Sequence, residues 1–544
     1  MLKKLREILL KKDIDYLLIN TTDEFLVEYN ELSNCARYFV TGFSGSTGDA
    51  LISKNKLWLF VDGRYHQQAD NEVDHNTTEV VKLQLGQSFL NELSERIEAG
   101  SKIGVVSKKI SLNFYKLLKT KLSKKQCKIT SLDEDPVESI QQLTTSDNGK
   151  AVEKIDIEIS GISADEKFKM LSKKLKKREA YFDSNLENIA YLTNCRQYKT
   201  PFSSVFKAKA VITKEKAIIF SNEKLADNIG KFFEVRPLSE FDKAFKSYTI
   251  VLFNPSTINY YDYKLIKSKA LEARKDFLKE MKSVKNNKEI AHFKKNFIRT
   301  DNVVNKAFEL IKTKNNLSEK SLSDNVEKEF KNQGAKQLSF KTILASGKNS
   351  SIIHYSHPDE NVKIQNGDFI LLDCGGYFEG GYSTDITRTF VKGTPCELQK
   401  RVYTTVMRMF LNAYNYKVTN KTTGHTLDRV ARKIHKQSGL KDFNFNHGLG
   451  HGVGISVHEN PPTISSGVFG KRVLKENMVF TIEPGLYKPG FGGVRLENTV
   501  YLTKEKGQLK IKSFSHVPFQ EQAIDYSLLN KQEQQWLNEW QAGK

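Results

Sequence analysis

Four acidic residues stand where strand patterning calls for apolar ones. Asp373 closes the run FILLD (369–373), Asp385 opens DITRTF (385–390), Glu483 lies in VFTIEPG (479–485) and Glu497 in GVRLEN (493–498). These runs are short, rich in β-branched and aromatic residues, and read as strands of a protein interior. An ionised carboxylate removed from water is costly unless it is paired, hydrogen-bonded or bound to metal. One such acid is ordinarily a satisfied structural group. Four of them constrain the fold, because the strands that carry them must converge on a shared cation.

The histidines point to the same region. Seven of the eleven, His354, His357, His425, His435, His447, His451 and His458, fall between positions 354 and 458. Three of these lie in NHGLGHGVGISVHENPP (446–462). His447 and His451 have the i,i+4 spacing of two zinc ligands on a helix. Gly448, Gly450, Gly452 and Gly454 oppose a helix, at about 1 kcal/mol each relative to Ala. The stretch therefore reads as turn and strand, its imidazoles aimed by a bent backbone. Four carboxylates and one neutral imidazole balance two divalent cations, which bridging carboxylates can hold roughly 3.5–4 Å apart. Oxygen-dominated ligation suits Mn²⁺, Co²⁺, Fe²⁺ or Zn²⁺, and the lack of thiolate ligands argues against a structural zinc. Metal-assisted hydrolysis is the chemistry this donor set implies.

At 544 residues the chain exceeds one ordinary core. An amphipathic N-terminal helix runs into a strand at 15–20, and 37–40, 50–53 and 57–61 read as further strands. TGFSGSTGD (41–49) lacks both the GK[ST] ending and the GxGxxG spacing of phosphate loops and reads as a hairpin loop. DGRY (62–65) reads as a helix entry. After the acidic-polar stretch 131–150 a second unit begins. Its NIAYLTN and AVITKEKAIIF mirror RYFVTG and ALISKNKLWLF, a weak self-similarity suggesting a duplicated α/β domain. A third unit starts near Phe277, with helices expected at 277–312, 318–334, 395–416, 425–438 and 528–540. Strands are expected at 341–347, 368–376, 384–391, 478–487 and 492–503. Leu529, Trp536, Leu537 and Trp540 share one face of the last helix, which should be docked.

The net charge of +21 comes mostly from scattered lysines. Such a surface reads as solvated rather than as a specific nucleic-acid site, which would cluster basic residues with aromatic platforms. No run of 18 apolar residues offers a membrane span, and the N-terminus lacks the apolar core of a signal peptide. Five cysteines, odd in number and far apart, suggest reduced thiols in a cytoplasmic protein.

Four stretches, LLDCGGYFEGGYSTDITRTF (371–390), HGLGHGVGISVHENPP (447–462), FTIEPGLY (480–487) and GVRLENTVYL (493–502), resemble in order the signature of the pita-bread metallopeptidases. IIHYSHP (352–358), the paired N-terminal units, DGRY and the tail VPFQEQAID…LNKQEQQWLNEW bring the chain nearest to the Xaa-Pro aminopeptidase family in its three-domain cytosolic form. The resemblance implies two creatinase-like α/β domains, 1–158 and 159–277, followed by a pita-bread (α+β) catalytic domain, 278–544. It implies that Asp373 binds one metal, that Asp385 and Glu497 bridge both, and that His451 and Glu483 complete the second. His354, His447 and His458 match the family's non-ligand histidines, which orient substrate and stabilise or shuttle charge. Arg495 matches a basic residue that supports the site. The implied reaction releases the first residue from peptides with proline second, by attack of a dimetal-bridging hydroxide with Glu483 relaying the proton. Mn²⁺ is the expected metal, with Co²⁺ or Zn²⁺ as alternatives, and a homodimer is expected. A dipeptide-restricted prolidase and a non-catalytic pita-bread binding protein are the rival readings. One residue more than the family pattern separates Asp373 from Asp385, which a longer EGGY hairpin loop should absorb. Cys374, the strand neighbour of Asp373, should face away from the site. His357, His425 and His435 match no family role.

Overall fold

In the computed structural model, which describes residues 1–141, 149–226 and 228–543, the repeated I-[ST]-K-x-K pieces close two hairpins of one kind. Ser53 Oγ accepts the N–H of Lys56, and Thr213 Oγ1 that of Lys216, each at 3.1 Å. A short hydroxyl mimicking a backbone acceptor is what such a turn selects. The repeated T-[GN] pieces end two helices, Ala36–Thr41 and Leu186–Thr193. Thr41 and Thr193 donate back to the carbonyls of Arg37 and Ile189. The next residues, Gly42 (φ 76°) and Asn194 (φ 54°), take the left-handed conformation that stops a helix.

Each repeat belongs to a six-stranded sheet, and the two sheets share one topology. The first runs, edge to edge, Glu79–Lys82, Leu57–Val61, Asp49–Ser53, Tyr16–Ile19, Lys102–Val106, Lys128–Leu132. The second runs Phe233–Arg236, Ala217–Phe220, Lys209–Ile212, Glu179–Asp183, Ile250–Phe253, Ala270–Glu272. In both, the third strand is antiparallel to its two neighbours and the remaining pairs are parallel. Both sheets lie in a first unit, residues 1–154, 162–201 and 205–278.

Two expectations need correction here. Residues 37–40 are helical, because a four-residue run cannot separate a period of 2 from one of 3.6. The 41–49 loop therefore joins a helix to a strand and is no hairpin. In the polar stretch 131–150, the strand Lys128–Leu132 reaches in from before it, and Asp135 caps the helix Pro136–Ile140. The rest of that stretch, 142–148, lies outside the described residues.

The second unit comprises 155–161, 202–204 and 279–544. One antiparallel sheet orders Ile343–Ser346, Phe369–Cys374, Ile386–Val391; another orders Val479–Ile482, Asn498–Glu505, Gln508–Ser513. The last of these strands is not among those expected, although Leu509 and Ile511 alternate there with polar residues. Helical spacing over 277–312 resolves into Phe277–Ser283 and Asn287–Thr313, divided where Asn286 forms a capping box with Glu289. The second of these packs with Glu319–Asn332 on the face of the Phe369–Cys374 strand that carries Ile370, Leu372 and Cys374. The terminal helix Lys531–Gln541 docks as expected, Leu537 and Trp540 buried and Trp540 against Phe410 and Phe519. Among the described residues no helix is long and apolar enough to cross a membrane.

In the second sheet Lys209 Nζ meets Asp262 Oδ1 at 2.8 Å, both side chains buried. Lys209→Met removes the cation and leaves the acid in an apolar setting. Urea unfolding of this variant is expected to show a loss of about 3–5 kcal/mol.

Candidate metal centre

Strand alternation delivers the acids. Along Phe369–Cys374, residues 370, 372 and 374 enter the helix-backed core while Asp373 faces the other way. Burial, then the charges of Asp373, Asp385 and Glu497, push the Cys374 thiol well up, consistent with a structural residue. Asp373 lies opposite Thr387 in the antiparallel register. Thr387 Oγ1 donates to Glu497 Oε2 (2.7 Å), and Glu497 N–H donates to Thr387 O (3.0 Å). Buried Arg388 grips the carbonyls of Glu497 (2.7 Å) and Val517 (2.6 Å). Thr499 Oγ1 holds Asp385 O at 2.8 Å. The EGGY turn is no free hairpin: only Glu379 is exposed and 380–383 are buried. His292 bonds Glu379 O, Tyr382 OH bonds Glu289, and Ser383 N–H bonds Gly454 O. The turn is packed against these partners.

Glu483 and His451 come from neighbouring backbones. Glu483 N–H donates to Leu449 O (2.8 Å) and His451 N–H to Thr481 Oγ1 (3.1 Å). Gly450 permits this approach, since a Cβ there would lie 2.1 Å from Thr481 O. His451 Nδ1 lies 3.1 Å from Gly452 O, which makes it the N–H donor. Nε2 then faces Asp385 Oδ2 (3.5 Å) and Glu483 Oε1 (3.6 Å). Asp385, His451 and Glu497 offer ligand atoms all within 4.8 Å of one another.

A second network backs the first. Arg495 Nη2 meets Asp373 Oδ2 at 2.6 Å, Nη1 donates to Tyr487 OH (2.8 Å) and Nε to Thr387 Oγ1 (3.2 Å). Tyr487, pushed up to about 12 by burial against the opposing pull of Arg495, lies 3.0 Å from His447 Nε2. His447 Nδ1 contacts Gly448 O (2.8 Å) and stands 3.8 Å from Glu483 Oε2. Arg432 braces this histidine through its carbonyl. The His458 ring stands edge-on to His451, centroids 4.5 Å apart.

His354 sits half-buried in the turn after the 3₁₀ segment Gly347–Ser351. Its neighbours Ile353 and Tyr355 pack with Tyr487 and Leu371. Buried Glu319 organises this segment by accepting from Ser346 N–H (2.6 Å) and Tyr355 OH (2.6 Å). His357, His425 and His435 make local contacts with Ser356, Ser466 O and Leu440 O. Thr387, Arg388, Arg432, Tyr487 and Glu319 were not anticipated. The hydroxyls and arginine inside TDITRTF were the available signal.

The electrostatics are unbalanced as the side chains stand. Burial raises Asp385 well above the carboxylate range, and repulsion from Glu497, Asp373 and Glu483 adds to it. Glu497 is raised in the same way, by burial and then by Glu483 and Asp373. Arg495 opposes both shifts. Asp373 Oδ1 is buried with no hydrogen-bond partner among the described residues. A neutral imidazole whose Nε2 faces two carboxylates is likewise repulsive unless a proton or a metal cation lies between. Donors about 2.1 Å from one ion sit a little over 3 Å from each other, near the 3.5 and 3.6 Å found around His451. The donor set therefore fits divalent cations bound mainly through oxygen.

Comparison with known proteins gives matching family models across the chain. Residues 291–504 match metallopeptidase family M24, and residues 1–139 and 145–289 each match a creatinase/prolidase N-terminal domain. A probable Xaa-Pro aminopeptidase P of Talaromyces marneffei is 30% identical over 99% of this chain and 88% of its own length. A probable Xaa-Pro aminopeptidase P of Laccaria bicolor is 29% identical over 99% and 89%. Among solved structures, an X-prolyl aminopeptidase of Caenorhabditis elegans, described as a cytosolic enzyme with a di-nuclear active site, superposes with a TM-score of 0.92. It is 26% identical, over 100% of this chain and 94% of its own.

Asp385→Ala and Glu497→Ala are each expected to lower bound divalent metal from about two ions per chain to one or fewer. Elemental analysis after equilibration with Mn²⁺ and dialysis measures this, and a variant retaining both ions removes that residue from the ligand set.

Proposed function

Because this chain belongs to metallopeptidase family M24, we propose that it is a dinuclear Xaa-Pro aminopeptidase, releasing the first residue of peptides whose second residue is proline. The convergence of Asp385, Glu483 and Glu497 on His451, with Asp373 near enough to raise both Asp385 and Glu497, carries the reading. The likeness to the X-prolyl aminopeptidase over the full chain, both N-terminal sheets included, supports the substrate class.

Asp373 would hold one metal, Asp385 and Glu497 would bridge, and His451 and Glu483 would complete the second. When bound, the pair supplies Lewis acidity that makes a water nucleophilic near neutral pH. Glu483 accepts the proton lost from the attacking water and delivers it to the departing proline nitrogen. His458 donates a hydrogen bond to the carbonyl oxygen as charge develops there. The scissile bond is a tertiary amide without an N–H, so the leaving side needs a ring pocket rather than an acceptor. His354 and His447 form that pocket, with Tyr487, itself held by Arg495, bonded to the His447 ring. An oxygen-rich donor set supports Mn²⁺ as the working metal, with Co²⁺ or Zn²⁺ as substitutes. Family resemblance supports a homodimer. Five free cysteines and the cytosolic description of the similar enzyme support a cytoplasmic location.

Hydrolysis of Ala-Pro-Ala beside the dipeptide Ala-Pro tests this directly. Cleavage of the tripeptide, its loss in EDTA and its return with Mn²⁺ are expected. Cleavage confined to the dipeptide shows a prolidase, and activity unaffected by EDTA overturns the metal mechanism.

A further inference from the structure

The loop that carries His458 closes around a buried ion cluster that plays no part in the hydrolysis described above. Strands Gly450–His451 and Thr463–Ile464 pair antiparallel at its base. Gly452 N–H donates to Pro462 O and Glu459 N–H to Gly452 O, each at 2.8 Å, so the loop folds back on itself. Inside it stands the Glu459 carboxylate, 1% exposed. It accepts the N–H of Ile455 (3.0 Å), lies 3.3 Å from Lys282 Nζ and pairs with Lys285 Nζ. Lys285 Nζ also donates to Lys282 O (2.7 Å), and Lys285 N–H to Asn477 O (2.9 Å). Burial works against the Glu459 charge, but the two lysines and the Ile455 N–H outweigh it and hold the carboxyl down to about 2.

The backbone is shaped to this one residue. A Cβ on Gly454 would lie 2.2 Å from Glu459 Cδ, and one on Gly452 would lie 2.0 Å from Glu459 O. Neither glycine has a positive φ. Both make room for Glu459 rather than bending the chain. The lock extends to the turn that leads into Asp385: Ser383 N–H bonds Gly454 O (2.8 Å), and Ser204 Oγ reaches both Ile455 O (2.9 Å) and Gly381 O (2.8 Å). His458 immediately precedes Glu459 and stands against His451.

We infer that Glu459 is a positioning residue for the hydrolysis: clamped by Lys282 and Lys285, its carboxylate fixes the 452–462 loop so that the His458 imidazole meets the substrate carbonyl. This rests on the role given to His458 above. A cluster that served only folding would change stability and leave the kcat of folded enzyme intact. One that places His458 changes kcat through that residue alone.

A double-mutant cycle separates the two, with Ala-Pro-Ala as substrate and Mn²⁺ content measured for each folded protein. Glu459→Gln is expected to lower kcat about 10- to 100-fold, the effect of a displacement near 1 Å, with KM changed less than about twofold and metal content unchanged. In a His458→Ala background the same substitution is expected to cost nothing further. Gly454→Ala displaces the carboxylate while keeping all three charges, and is expected to reproduce both results should Glu459→Gln fail to fold. Losses that multiply in the double variants, or full kcat in folded Glu459→Gln or Gly454→Ala, overturn the positioning role. Full kcat in His458→Ala instead overturns the reading of His458 on which it rests.

Discussion

Repulsion among three buried carboxylates and a half-buried fourth is the constraint on which the second unit depends. Asp373, Asp385, Glu483 and Glu497 do not hold one another, and Arg495 is one cation against four anions. What holds them is backbone. The strands Phe369–Cys374 and Ile386–Val391 are locked in antiparallel register, and Glu497 is fastened to the latter by its own N–H and by Thr387. Arg388 adds a buried grip on two carbonyls while burial brings its own pKa down to about 10. The protein thus spends folding energy to hold an arrangement that only cations make favourable.

The same logic explains why so much of the unit is tied by side-chain to backbone bonds. Each imbalance at the centre is met by a rigid partner: Tyr487 between Arg495 and His447, Thr481 beneath His451, Glu319 beneath the His354 segment. The EGGY turn follows suit, pinned from three directions. A turn leading into Asp385 has little freedom to move, because a shift there would shift a carboxylate the other three already repel.

The sequence was most readable where chemistry was local. The duplicated α/β units showed through a hydroxyl turn and a helix stop, two features that need particular residues at particular offsets: Ser53 and Thr213, Gly42 and Asn194. The same local view failed at 37–40, where four residues could not show their period, and at Gln508–Ser513, a short edge strand with only Leu509 and Ile511 apolar that follows its partner through a tight turn. The long helical pattern after Phe277 hid a break, since Asn286 is a cap only once Glu289 bonds back to it.

Composition and spacing alone determined the donor types of the centre, four acids in apolar strands and imidazoles on a glycine track, because burying such acids is costly in any fold. Strand alternation likewise determined that Asp373 and Cys374 face opposite ways. Tertiary structure alone decided which nitrogen of His451 is left open and that Arg495 answers Asp373 across 122 residues. It also decided that glycines 452 and 454 serve Glu459. Those outcomes depend on the register between strands distant in the chain. A period-2 pattern says which way a side chain points and nothing about which residue it will meet.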